Sequence, residues 1–266
     1  MQGIVSVIVT RATVSIRYPV RPAPAAWIIP EGNVAESPVH HTVSQHLTLL
    51  LEAWAARQPA PTRVLRNVAI RWLEEYPNTG IDPDVCVLAP PPPDLDDVSS
   101  VCLWKRGHIA PPICFEIVSV NHPYKDYLEI QDRYAALGTR ELVVFDPILA
   151  GPRSLGGPVA LQMWRRTLEG GLERSHFGDA PVFSEVLDAW LIADGRSLHI
   201  AEDRHGTRPW LTAAQQASIN AERAQADAER AQADAERARA EAERERAQKE
   251  EFERRLRELE RKLDRG

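Results

Sequence analysis

The sequence is short of several features that would announce a function. No apolar run approaches the roughly 18 residues that a membrane-crossing helix needs, so no membrane partner is expected. Cysteine is scarce: Cys86, Cys102 and Cys114 are the only three, with no CxxC pair and no paired His motif. That excludes a thiolate zinc site and a disulfide framework. Thiols in or near apolar runs read as buried and free, which fits a reducing compartment and a cytoplasmic protein. The first sixteen residues carry neither a basic stretch nor a small-residue cleavage site, so no secretory leader is expected. There is no excess of positive charge either. With 32 Lys+Arg against 38 Asp+Glu the net charge is −6, whereas a phosphate-binding surface normally shows a surplus of Lys and Arg. Lysine is rarest of all: the first 212 residues contain only Lys105 and Lys125, against 17 Arg.

The charge that is present is unevenly placed. Residues 213–266 hold 13 Lys+Arg and 14 Asp+Glu in 54 positions, while residues 1–212 carry a net −5. A span of about 210 residues suffices for one full core. The organisation expected is an extended lead-in over 1–30, a globular domain over 31–205 and a long charged helix over 206–266. Ile4 to Val9 has strand character within a Pro-rich lead-in. Val39, Val43, Leu47, Leu50, Leu51 and Trp54 recur at spacings of three and four, giving a helix that ends before Pro59. Val64 to Trp72 reads as one strand, Asp84 to Leu88 as another, and a Pro-rich acidic loop follows. Ile113 to Ser119 is a strand, and Tyr127 to Leu137 a helical face stopped by Gly138. Glu141 to Asp146 is a strand ended by Pro147. Val159 to Trp164 and Ala189 to Ile200 follow, the latter folded at Asp194-Gly195. This order predicts a mixed α/β sheet.

The tail repeats. Ala221–Asp227 and Ala228–Asp234 are identical seven-residue units, and Ala235 and Ala242 open degenerate copies. With Ala221 at heptad position a, alanine fills the first three a and d pairs, and Phe252, Leu256, Leu259 and Leu263 continue the same seam. Thr212 and Gln215 have the spacing of a capping box. Two readings stand: a self-associating coiled coil, and a solitary solvated helix.

Two strands each hold one acidic residue inside an apolar run: Asp84 before Val85-Cys86-Val87-Leu88, and Glu116 between Phe115 and Ile117. An ionised carboxylate is costly in a core unless paired or bound to a metal. Asp84 alone suits a strand edge, but Glu116 is harder to explain structurally. If the strands are neighbours, the two carboxylates share one cleft and suit Mg²⁺ or Mn²⁺, which prefer oxygen ligands. Lys125 lies nine residues beyond Glu116, and a lysine amine can orient or deprotonate a water where arginine cannot. Paired with Asp126 at a helix start, it would have only a surface role.

At this point the residues resemble a known family. Asp84 in Pro-Asp-Val, then Phe115-Glu116-Ile117-Val118-Ser119, Tyr134, and Gly138 through Pro147 look like the Uma family, bacterial restriction-endonuclease-like proteins of the PD-(D/E)XK nuclease superfamily. Glu36-Ser37-Pro38-Val39-His40 before a Leu-rich helix and the Ala/Glu/Arg-rich tail match many members too. The resemblance covers roughly residues 30–205. It implies a restriction-endonuclease-like mixed β-sheet flanked by helices, and a Mg²⁺-dependent (or Mn²⁺-dependent) hydrolase of nucleic-acid phosphodiester bonds, DNA before RNA. Asp84 and Glu116 would be the metal ligands, with the Ile117 carbonyl as a third. Lys125 would be the catalytic amine and Glu36 an auxiliary acid. The family commonly has Pro where this chain has Val120, and lysine where it has Ile130. Tyr134 is expected to face the core and Asp146-Pro147 to close a strand. The alternative is a catalytically degenerate nuclease fold that acts as a binding or assembly module. Its tail would recruit a second copy or another coiled-coil partner.

Overall fold

The structure is a computed structural model that describes residues 3–9, 12–18, 37–97, 100–120, 123, 127 and 130–263, with backbone alone in the 3–18 segment and at 259, 260, 262 and 263. Expectations for Glu36 and Lys125 lie outside the described residues, as does the Pro-rich stretch 19–30. The chain divides into two units, 1–213 and 214–266.

Near the start, β1 (Gly3–Val9) pairs antiparallel with β2 (Ala12–Tyr18). The strand expected at Ile4–Val9 is therefore half of a hairpin whose second half carried no separate expectation. Ser37 then opens α1 (Pro38–Ala55): its Oγ accepts from the His40 N–H at 3.2 Å, and Pro38, with no N–H to satisfy, starts the helix. The apolar face of α1, with Leu47, Leu50 and Leu51 buried, matches the spacing in the sequence.

The single strand expected over Val64–Trp72 is two strands. β3 (Arg63–Arg66) and β4 (Ala69–Arg71) are separated at Asn67, whose φ is 49°. Asn tolerates that left-handed backbone better than a branched residue would. The Asn67 N–H donates to the Pro83 carbonyl at 3.0 Å, so the kink is anchored beside Asp84. β4 joins β5 (Gly80–Ile81) and β7 (Ser100–Cys102) in a small sheet, while β3 pairs with β6 (Val85–Leu88).

The main sheet has six strands. β8 (Ile113–Ile117) runs antiparallel to β6 and parallel to β9 (Glu141–Phe145), and α2 (Ile130–Leu137) lies between β8 and β9 in the chain. β10 (Leu161–Arg166) and β11 (Leu172–Gly178) complete the order β11-β10-β9-β8-β6-β3. A second small sheet follows, made of β12 (Val182–Ser184), β13 (Ala189–Asp194) and β14 (Ser197–Ala201), with its turn at Gly195 as expected. In the main sheet β8–β9 is the one parallel pair among antiparallel ones, the mixed α/β sheet that the order of elements predicted.

Strand alternation divides the core into two layers. Val85, Val87, Ile113, Phe115, Val143 and Phe145 pack with α1 and with β12–β14. The other parity, with Cys86, Leu88, Cys114, Leu142 and Val144, packs with α2 and the β4-β5-β7 sheet. All three cysteines are buried and free, as expected. Burial pushes the Cys86 thiol up to about 12 and Cys114 well above its ordinary value, so neither supplies a thiolate at neutral pH.

The second unit is α3 (Ala213–Leu263), a helix of 51 residues that begins directly after Thr212. Among the described residues no helix is long and apolar enough to cross a membrane.

Candidate metal-binding carboxylate site

The candidate site stands where β6 begins and β8 ends. The antiparallel register pairs Val85 with Phe115. Asp84 lies one residue before β6, and Glu116 one residue beyond Phe115 in β8. Asp84 reaches the end of β8: its Oδ2 accepts from the Ile117 N–H at 2.7 Å, one residue from Glu116. The neighbouring strands required for a shared cleft are therefore present. Ile117 meets Asp84 through its N–H, a contact that the expected carbonyl role did not include.

Each carboxylate is held by a group from another element. His40 Nε2, in the first turn of α1, lies 3.0 Å from Asp84 Oδ2. The Tyr134 hydroxyl, in α2, donates to Glu116 Oε1. Glu116 and Tyr134 are buried, at 2 % and 0 % exposed, whereas the Asp84 side chain keeps 15 % of its surface. The site is thus closed on the Glu116 side and reached from the Asp84 side. Burial, then the Glu116 charge, raises the Tyr134 phenol well above its ordinary value, with Asp84 adding a smaller push. Tyr134 accordingly stays a proton donor throughout the neutral range.

Tyr134 faces the core as expected, but its polar end has a partner that burial alone did not suggest. His40 stood in the sequence only as part of a motif, and its contact with a residue 44 positions away has no local signature. One turn along α1, Ser44 Oγ accepts from Arg66 Nη2 at 2.7 Å. The first two turns of α1 therefore reach Asp84 and β3, the strand paired with β6. Asp146 closes β9 as expected: it accepts from the Tyr127 hydroxyl at 3.1 Å and from the Ala150 and Gly151 N–H groups at 3.0 and 2.8 Å. Ile130, the first residue of α2, is buried at 1 % exposed.

Among the described residues no group of three or more His, Cys, Asp and Glu side chains could hold a metal ion. The chemistry of the pair that is present fits a divalent cation that prefers oxygen ligands. Both contacts of Asp84 end on Oδ2 among the described residues, so Oδ1 is not engaged by them. Two carboxylates near one another are hard oxygen donors, the kind that a divalent cation takes together with several waters.

A mixed sheet with paired carboxylates at the ends of adjacent strands defines an α/β protein with a candidate cation site. Residues 17–177 match the model of the Uma2 family, described as "Putative restriction endonuclease", and with more than half of the chain matched the chain belongs to that family. The matched segment includes Asp84, Glu116 and Tyr134. A crystal structure described as that of "a putative nuclease belonging to DUF820", from Anabaena variabilis ATCC 29413, is similar at 13 % identity, over 56 % of this chain and 73 % of that one, with a TM-score of 0.35. No curated protein matches the chain.

Proposed function

We propose that the chain is a Mg²⁺- or Mn²⁺-dependent endonuclease that hydrolyses nucleic-acid phosphodiester bonds, DNA in preference to RNA, in the cytoplasm. The observation that carries this reading is that Asp84, just before β6, bonds to the backbone N–H beside Glu116 at the end of the adjacent strand β8. These two residues would hold the cation, which when bound supplies an activated water and a counter-charge for the phosphate. The Ile117 N–H and His40 fix the Asp84 carboxylate from two directions. Tyr134 fixes Glu116 and, together with its burial, keeps bulk water from that side. In this reading Lys125 orients or deprotonates the attacking water, because the family's lysine position holds Ile130. Glu36 is the auxiliary acid before α1.

The test is cleavage of single- and double-stranded DNA and RNA with Mg²⁺ or Mn²⁺. Cleavage should appear in the unaltered protein and fall by at least about a hundredfold in Asp84→Ala and Glu116→Ala, as expected when a group that stabilises developing charge is lost. Full activity in either variant would remove the assignment.

One observation favours a second reading, a degenerate nuclease fold kept as a binding or assembly module. The buried, apolar Ile130 occupies the place of the family's amine. That reading predicts no cleavage under any condition and no rise in melting temperature on adding Mn²⁺. The endonuclease reading predicts cleavage and a rise in melting temperature.

A further inference from the structure

Seen alone, the 214–266 unit is a helix without a packing face. From residue 220 to 258 every residue of α3 is exposed, including Phe252 at 67 % and Leu256 at 48 %. Its own side chains supply only weak pairs, such as Asp227–Arg230 and Asp234–Arg237 at 3.7 Å and Glu251–Arg255 at 2.7 Å. A long helix that is polar on most faces but carries a Phe/Leu stripe at one end calls for a partner along that stripe.

The heptad frame begun at Ala221 gives the seam an unusual asymmetry. Positions a and d are alanine at 221, 224, 228, 231, 235 and 238, and again at 242, but large from Phe252 onward. Between the halves stand Glu245 at d and Lys249 at a. A parallel, in-register pair would set Glu245 against Glu245 and Lys249 against Lys249 in the seam. It would also stack small on small in one half and large on large in the other. An antiparallel pair crossing near residue 247 does the opposite. Lys249 meets the second copy's Glu245, Phe252 meets its Ala242, and Leu256 meets its Ala238, because a faces d in antiparallel coils. The flanking positions agree: Glu241 faces Arg255, and Arg239 faces Glu253, with the single like-charged meeting at Arg246. Flanking charges would also tolerate the parallel arrangement, so the seam decides. Its size and charge patterns both close only when the direction is reversed.

We propose that α3 is the homodimerisation element of this protein, pairing with α3 of a second copy as an antiparallel coiled coil that crosses near residue 247. The inference is independent of the nuclease reading, since it uses no residue of the carboxylate site. The mass of the full chain in solution gives the first readout and should be that of a dimer. Spin labels on Ala247→Cys and Ala233→Cys, both at outward heptad positions, give the direction, because the native cysteines are buried. At 1.5 Å rise per residue, labels at 233 should lie about 40 Å apart along the axis, and labels at 247 close together. A parallel coil would bring both pairs close. Lys249→Glu should weaken the dimer about tenfold or more, and Glu245→Lys with Lys249→Glu should restore it, because the swapped pair still meets its opposite. A monomeric mass overturns the proposal, as does a short distance at 233 or a double variant no better than the single one.

Discussion

Tyr134 is fully buried with its hydroxyl on a buried carboxylate, so its proton has nowhere cheap to go. Losing that donor leaves Glu116 with one partner fewer in a region of low dielectric, a loss worth about 1–3 kcal/mol. Tyr134→Phe should therefore lower stability by about that amount at pH 7, read from urea midpoints. The pH dependence follows from the raised phenol. The unfolded side chain titrates near 10 and the folded one higher, so the stabilisation is complete below about pH 10 and is lost as pH rises toward the folded value. Between pH 9 and 11 the unaltered protein should lose stability more steeply than Tyr134→Phe. Parallel curves for the two proteins would mean that the phenol and the carboxylate are not coupled.

The first turn of α1 ties an element to the site. Ser37 caps the helix at the His40 N–H, which sets the direction from which His40 meets Asp84. A group that orients a ligating carboxylate typically changes metal affinity 10–100-fold when removed. His40→Ala should weaken Mn²⁺ binding, measured by calorimetry, by about that factor, while His40→Gln, which retains a donor, should recover most of it. A purely structural role would lower the melting temperature of both and leave Mn²⁺ affinity unmoved. Elements of this kind were legible in the sequence to unequal degrees. α1, β6, β8 and β9 each have a local pattern with its own punctuation. Gly138, with φ of 99°, ends α2 as its sequence position indicated. The break between β3 and β4 was hidden because the apolar parity of Val64, Val68, Ile70 and Trp72 continues across Asn67 even though the chain changes sheet. β11 escaped notice because its residues are all exposed or half-exposed and show no alternation to read. Asp84 and Glu116 were visible as lone carboxylates in apolar runs. Their adjacency was not, because strand pairing over 30 residues leaves no mark in either segment, and His40 was silent for the same reason.

Across the whole molecule, the charge balance limits how a nucleic acid can be held. The first 212 residues are net −5, and residues 213–266 are nearly balanced at −1, so neither part offers a broad cationic footprint. Repulsion between the protein and a polyanion must then be overcome locally. In the proposed reading, a divalent cation held at Asp84 and Glu116 would offset their charge and let a phosphate approach. Each phosphate neutralised by protein cations contributes about −0.9 to the slope of log affinity against log salt. With only one or two phosphates engaged, the slope should be about −1 to −2, far shallower than for a protein that tracks the backbone with many Lys and Arg. Fluorescence anisotropy of a labelled duplex in Ca²⁺, a hard cation with the same preference for oxygen, measures this directly. Binding should weaken strongly on chelation and in Glu116→Gln. A slope steeper than about −4, or affinity unaffected by chelation, would point to an extended cationic groove and would separate nucleic-acid binding from the carboxylate pair.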